Sequence, residues 1–131
     1  AQTPAVPYAS FYLSPSRLVM TEDTLVIRRQ YADAGVARRN DVRIPDDHLG
    51  LELEFLYFLE REIALARANG DDQTVQVLCG RRTGFVCGHM LQWVPRFASD
   101  VLGATSHDFI RAAVTLLLAL LPDDEASQLE V

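Results

Sequence analysis

The sequence contains no lysine: all twelve of its basic residues are arginine. That fits the base composition of a G+C-rich genome and carries no functional reading. Positive charge is also outweighed. Eighteen acidic residues leave a formal net charge of -6, which disfavours non-specific nucleic-acid binding and suits a basic partner. Cysteine is scarce, with only Cys79 and Cys87. On one continuous helix their Cα atoms would lie about 12 Å apart, too far for a disulfide, and no metal-ligand spacing surrounds them. A reducing compartment fits this usage. Ala1 to Ser10 has neither the basic nor the apolar region of a secretory signal. The longest apolar run, Ala112 to Leu121, is about half of what a membrane span needs. HExxH, CxxC, a phosphate loop, a dinucleotide fingerprint and a nucleophile elbow are all absent. The composition therefore gives no support to an enzyme, and it implies no cofactor.

What is present is a chain of 131 residues, 49% apolar and 23% charged, of a size for one domain with a real core. From Thr21 on its periodicity is helical and no strand pattern competes, so the expected class is all-α. Residues 1–20 read as an irregular lead-in whose aromatics, Tyr8, Phe11 and Tyr12, pack on the body. Thr21 is placed as a helix N-cap, with Glu22 and Asp23 in the first turn and Gly35 as the stop. After a charged loop from Ala37 to Pro45, Asp46 and Asp47 open a second helix. Its stripe is Leu49, Leu53, Leu56 and Ile63, widened by Leu51, Phe55, Phe58 and Leu59, and Gly70 ends it. Asp71 and Asp72 cap a third helix running towards Trp93, where Pro95 should break or kink it. A short continuation, Arg96 to Leu102, ends at Gly103. Ser106 caps the last helix, with Phe109, Ala113, Leu116, Leu117 and Leu120 as its buried face and Pro122 as its stop. Residues 1–122 then form one helical domain and 123–131 an acidic tail.

Two features exceed what a plain bundle needs. The last helix is apolar nearly all round from Ala112 to Leu121, which suits a central position in a core. Four helices can hardly surround it, so cover is expected from further N-terminal helices or from a second copy. Gly80, Gly84 and Gly88 recur every four residues, and each costs roughly 1 kcal/mol against alanine in a helix. Their common face would admit another backbone.

The most informative polar cluster is Asp46-Asp47-His48, with Glu52 one turn on. Capping explains acidic residues at a helix start, and His48 and Glu52 are i, i+4 neighbours that can pair. The functional reading is a polar spot that grips a cationic peptide, since a carboxylate takes a guanidinium bidentately. A metal site built from His48, Glu52, His89 and His107 lacks ligand spacing. Trp93, beside Pro95 and Phe97, reads as a core plug.

At this point a family resemblance appears. PDDHLGLELEFLYFL, Pro45 to Leu59, resembles the E-P-x-D-H signature region of the TorD/DmsD/NarJ family of redox-enzyme maturation chaperones. GHMLQWVPRFASDVL, Gly88 to Leu102, is similar to the family's H-x-L-x-x-W-x-P-x-F segment, and the stretch from Tyr8 to Val36 to the one preceding the signature. The signature glutamate is absent, since Val42-Arg43-Ile44-Pro45 stands ahead of the aspartate pair. The family's N-terminal helices, with their aromatic-x-x-Leu-Phe motif, are also missing, so the resemblance marks a C-terminal portion. It implies an all-helical, cytoplasmic, non-catalytic protein. Such a protein binds the twin-arginine leader and the apo form of a molybdopterin-dependent oxidoreductase, and delays export until the cofactor is inserted. The leader-binding candidates are Asp46, Asp47, His48 and Glu52, of which Asp47 and His48 fall on the signature. A homodimer is compatible with this reading. The rival from another class is a structural helical subunit or dimerisation module, which would show no preference for a leader with both arginines.

Overall fold

The computed structural model describes residues 5–14, 22–37 and 44–121. The expectations placed on Thr21, on residues 38–43, on Pro122 and on the acidic tail 123–131 lie outside the described residues. The architecture is a helical bundle, α1 (Ala9–Leu13), α2 (Glu22–Asp33), α3 (Leu49–Ala68), α4 (Asp72–Phe85), a π-helix (Val86–Met90), α5 (Leu91–Ala104) and α6 (Asp108–Leu120). The described residues hold no strand, only one isolated antiparallel bridge between Tyr8 and His48. The all-α expectation holds.

Local chemistry sets the helix ends. α2 stops at Gly35, whose φ of 84° is open to glycine. The Val36 amide reaches back to the Tyr31 carbonyl and the Gly35 amide to that of Ala32, the paired bonds of a Schellman stop. Gly70, at φ 69°, ends α3 in the same way, with Asp71 N bonded to Ala66 O and Gly70 N to Arg67 O. α4 then starts on Asp71, which accepts from both the amide (3.2 Å) and the hydroxyl (2.6 Å) of Thr74. α3 and α4 form an antiparallel hairpin, pinned at the surface by Arg82 on Glu60 at 2.9 Å.

The core gathers Tyr12, Ile27, Tyr31, Phe55, Leu59, Phe85, Met90 and Trp93. Full burial of each large side chain stabilises by about 1.5–3 kcal/mol. Phe55 packs between Tyr31 (4.7 Å) and Phe85 (4.9 Å, edge-on), and Tyr12 stacks on Trp93 at 5.9 Å. The lead-in aromatics do pack on the body, but as the one-turn α1 rather than as irregular chain. Trp93 is fully buried, the plug the sequence suggested.

Four expectations need correction. The inward stripe of α3 is Glu52, Phe55, Leu59, Ile63 and Ala66, leaving Leu53 exposed and Leu49 and Leu56 half-buried. The next helix does not break at Pro95, which lies inside α5. The irregularity comes earlier, in the π turn, which widens the ladder just ahead of the proline that can donate no bond. Ser106 does not cap α6: His107 holds the N-cap position without a side-chain bond. Phe109, Leu116 and Leu120 are exposed, and the inward side of α6 is Val114, with Leu117 and Leu118 half-buried. Among the described residues α6 packs mainly against α5. Positions 80, 84 and 88 also open outward, with nothing within 4 Å of where a Cβ would stand.

Candidate functional site

The four residues singled out in the sequence occupy one short stretch, the turn into α3 and its first coil. The structure gives them different roles. His48 is the N-cap of α3: its Nδ1 accepts the Gly50 amide at 2.9 Å, while its ring lies edge-on to Tyr8 with centroids 5.0 Å apart. It is half-buried and reaches the surface. The expectation that the aspartate pair opens this helix is therefore corrected, because an imidazole nitrogen does the capping.

Asp47 instead caps a helix distant in sequence. Its Oδ2 accepts the Ser10 amide at 2.6 Å, at the start of α1, and its backbone carbonyl accepts from Ala9. Its Oδ1 accepts the Thr24 hydroxyl from α2 at 3.2 Å. One fully buried carboxylate thus joins α1, α2 and the entry to α3. The need behind this is plain: α1 is too short to satisfy its own amides, and a carboxylate is the favoured acceptor at a helix start.

Asp46, also buried, faces α2. Arg28 donates to its Oδ2, and the Tyr31 hydroxyl donates to its backbone carbonyl at 2.8 Å. Burial, followed by the nearby Glu52, Asp46 and Asp47 carboxylates, pushes the Tyr31 phenol far above its ordinary range. It therefore remains a donor at any physiological pH.

Glu52 lies fully buried one turn into α3. Its partner is His89 rather than His48: His89 Nε2 sits 2.7 Å from Oε2, and Trp93 Nε1 donates to Oε1 at 3.0 Å. Burial raises the Glu52 pKa above the carboxylate range. The bonds from His89 and Trp93 and the attraction of His89 oppose the rise, and Asp47 adds to it. α3 is thereby tied through polar bonds to the π-helix and to α5.

Among the described residues, no buried side-chain nitrogen or oxygen lacks a partner. The carboxylates of Asp46, Asp47 and Glu52 are each engaged inside the fold, and His48 is the member of the set within reach of a docking molecule. No three histidine, cysteine, aspartate or glutamate side chains among the described residues gather as metal ligands, and Cys79 and Cys87 are free thiols. An open cleft of about 390 Å³ lies between α1 and α5, lined by Tyr12, Pro95, Arg96, Ser99 and Asp100. It carries one acid and one base, both bonded to Tyr12, so it has no acidic surplus for a cationic ligand. No helix of the described residues is long and apolar enough to cross a membrane.

Sequence reasoning missed the partners: Ser10, Thr24, Arg28, Tyr31, His89 and Trp93. Some signal was there. Thr24, Arg28 and Tyr31 share one face of α2 by their i, i+4, i+7 spacing, and His89 and Trp93 are i, i+4. Nothing local said which acid each face would meet.

Comparison with known proteins places this geometry. The chain is 32% identical over 125 residues to the chaperone protein TorD of Photobacterium profundum, covering 93% of this chain and 55% of that one. It is 27% identical over 124 residues to TorD of Vibrio parahaemolyticus, with the same coverages. It is 27% identical over 120 residues to TorD of Aliivibrio fischeri, covering 92% and 54%. The chain thus spans about half the length of the curated relatives it matches. No solved structure matches it. The family model for the nitrate reductase delta subunit matches residues 1–99, a stretch that contains α1 to α4, the π-helix and every bond of the polar cluster. The chain belongs to the nitrate reductase delta subunit family, the TorD/NarJ family whose signature Pro45 to Leu59 resembles.

Proposed function

We propose that this chain is part of a cytoplasmic redox-enzyme maturation chaperone. It binds the twin-arginine leader and the apo catalytic subunit of a molybdopterin-dependent oxidoreductase, and it withholds the client from export until its cofactor is in place. The observation that carries the reading is the likeness to chaperones named TorD along 93% of the chain, with the polar cluster inside the matched region. The cofactor belongs to the client, and no chemical step is assigned to this chain.

In this reading the cluster works in two tiers. Asp46, Asp47 and Glu52 fix α1, α2, α3 and α5 relative to one another, and so shape the surface a leader meets. His48, with Tyr8 against it, is the member that touches peptide. The -6 charge draws a leader with two guanidinium groups towards this surface, and exposed Leu53 and Tyr57 further along α3 offer apolar area for the stretch that follows them. A second reading, a structural helical subunit without leader binding, is favoured by the burial of the three carboxylates.

Co-purification separates the two. The chain should retain an apo oxidoreductase subunit carrying its leader, and release most of it once the leader is deleted or the cofactor is loaded. Equal retention of both forms, or of neither, favours the structural reading.

A further inference from the structure

We propose that Gly50 fixes the tautomer of His48, so that the imidazole offers a docking leader an N–H donor and takes a main-chain carbonyl rather than a guanidinium. The inference rests on the leader-binding reading and names the chemistry which that reading requires at this residue.

The polarity of the ring follows from one bond. A backbone amide can only donate, so the Gly50 amide, 2.9 Å from Nδ1, makes that nitrogen the acceptor. An imidazole that accepts through one nitrogen carries its proton on the other, here Nε2. An imidazolium, with a hydrogen on both nitrogens, would lose the bond. The rest of the residue is committed as well. Its amide donates to the Pro45 carbonyl at 3.1 Å, and its carbonyl accepts from the Glu52 amide at 3.0 Å. The bridge to Tyr8, made by Ala9 N to Asp47 O (3.1 Å) and Leu49 N to Pro7 O (2.9 Å), holds the backbone on either side. Nε2 is what remains. It has no partner among the described residues, and none of their buried side-chain nitrogens lacks one, so Nε2 opens to solvent.

Gly50 suits this task because it has no side chain. A Cβ there would stand 3.2 Å from Nδ1 and 3.5 Å from Cε1 of His48, crowding the ring where it lies against the amide. The edge contact with Tyr8, centroids 5.0 Å apart, also holds the ring.

The chemistry of the partner follows. A guanidinium only donates and would meet Nε2–H hydrogen to hydrogen. The apolar stretch of a leader has no side-chain acceptor to give. Main-chain carbonyls remain, and an extended peptide presents them along its whole length. His48 then grips the main chain at the arginine pair. Because Asp46, Asp47 and Glu52 are spent inside the fold, the guanidinium groups fall to exposed carboxylates such as Glu54 on α3. Without His48 the main chain slips, and the preference for arginine blurs.

Long-range proton–nitrogen NMR of the free chain at about pH 8, above the ordinary imidazole range, should place the His48 proton on Nε2. A twin-arginine leader peptide then separates donor from acceptor, because aspartate and asparagine are both favoured N-caps and keep the helix start. His48→Asp turns the outward donor into an acceptor and should weaken leader binding at least about tenfold despite its added negative charge. His48→Asn, which retains an N–H, should bind at least about fivefold tighter than His48→Asp. Gly50→Ala should weaken binding about threefold or more, although alanine favours the helix. The same ranking should hold for a leader whose side-chain acceptors are changed to alanine. A proton on Nδ1, binding by His48→Asp or Gly50→Ala as tight as wild type, or a ranking lost with the second leader sinks this inference and leaves leader binding standing. A folded wild-type chain that binds neither leader overturns the leader-binding reading and this inference with it.

Discussion

Replacing Glu52 with alanine removes at once the acceptor of the buried Trp93 Nε1 at 3.0 Å and the partner of the buried His89 Nε2 at 2.7 Å. Each orphaned buried group costs about 1–3 kcal/mol, and the space left by the side chain adds to the loss because the surroundings relax only in part. A total of about 3–5 kcal/mol is expected, the range for breaking a buried pair, against a whole-domain stability of about 5–15 kcal/mol. Glu52→Gln keeps an acceptor for the indole and should lose only about 1 kcal/mol. Urea unfolding followed by the fluorescence of Trp93, the one tryptophan of the chain, reads the joint directly. The pH dependence is a second check. Burial raises the Glu52 carboxyl above its ordinary range, so the folded state holds its proton more tightly than the unfolded state. That contribution is fully present below the ordinary carboxylate pKa and is lost as the pH rises through the raised value. The advantage of the wild type over Glu52→Gln should therefore shrink with rising pH. A loss under 1 kcal/mol for the alanine variant, or an advantage that grows with pH, would falsify the reasoning.

Three further outcomes follow from the same cluster. Asp47→Ala leaves the Ser10 amide and the Thr24 hydroxyl without their acceptor, which should cost about 2–4 kcal/mol and speed hydrogen exchange throughout α1; unchanged exchange there contradicts the capping role. His48→Ala removes the cap on the Gly50 amide and the edge contact with Tyr8, so stability should fall by about 1 kcal/mol while leader affinity falls more steeply; affinity unchanged beside a lowered Tm leaves His48 purely structural. Asp71→Ala should lower the Tm at neutral pH and lose that effect in acid. Thr74 holds the Asp71 carboxyl below its usual range, so its contribution exists above the ordinary pKa and disappears as the pH falls through the lowered one; a Tm gap that persists in acid is the contrary result.

The helices were legible because their stops are written locally. Gly35 and Gly70 need left-handed backbone, and Asp71 sits where α4 needs an acceptor. Trp93 was legible as core because a large apolar group beside Pro95 has few other places to go. The site was legible as a location but not as a wiring diagram. Asp47 looked like a cap for the helix that follows it, and it caps α1 instead, since the amides in greatest need lie 37 positions back in the chain. Glu52 looked like a partner for His48 at i, i+4. Yet His48 was already spent on the Gly50 amide, and the π turn brings His89 to the carboxylate from another helix. Such pairings are decided by packing between elements, which spacing within one element does not encode. α6 misled for a related reason: apolar residues on every side state a demand for neighbours, and the described residues meet it on one side.

The most direct test of the account is a fluorescence-anisotropy titration of the purified chain with a labelled twin-arginine leader peptide, beside the same peptide with both arginines changed to alanine. Each charge-assisted contact is worth about 1.5–3 kcal/mol, so the native leader should bind at least about tenfold tighter, and His48→Ala should erode that preference. Equal affinity for the two peptides, or no binding of either by folded protein, contradicts the chaperone reading and leaves the chain a structural helical unit.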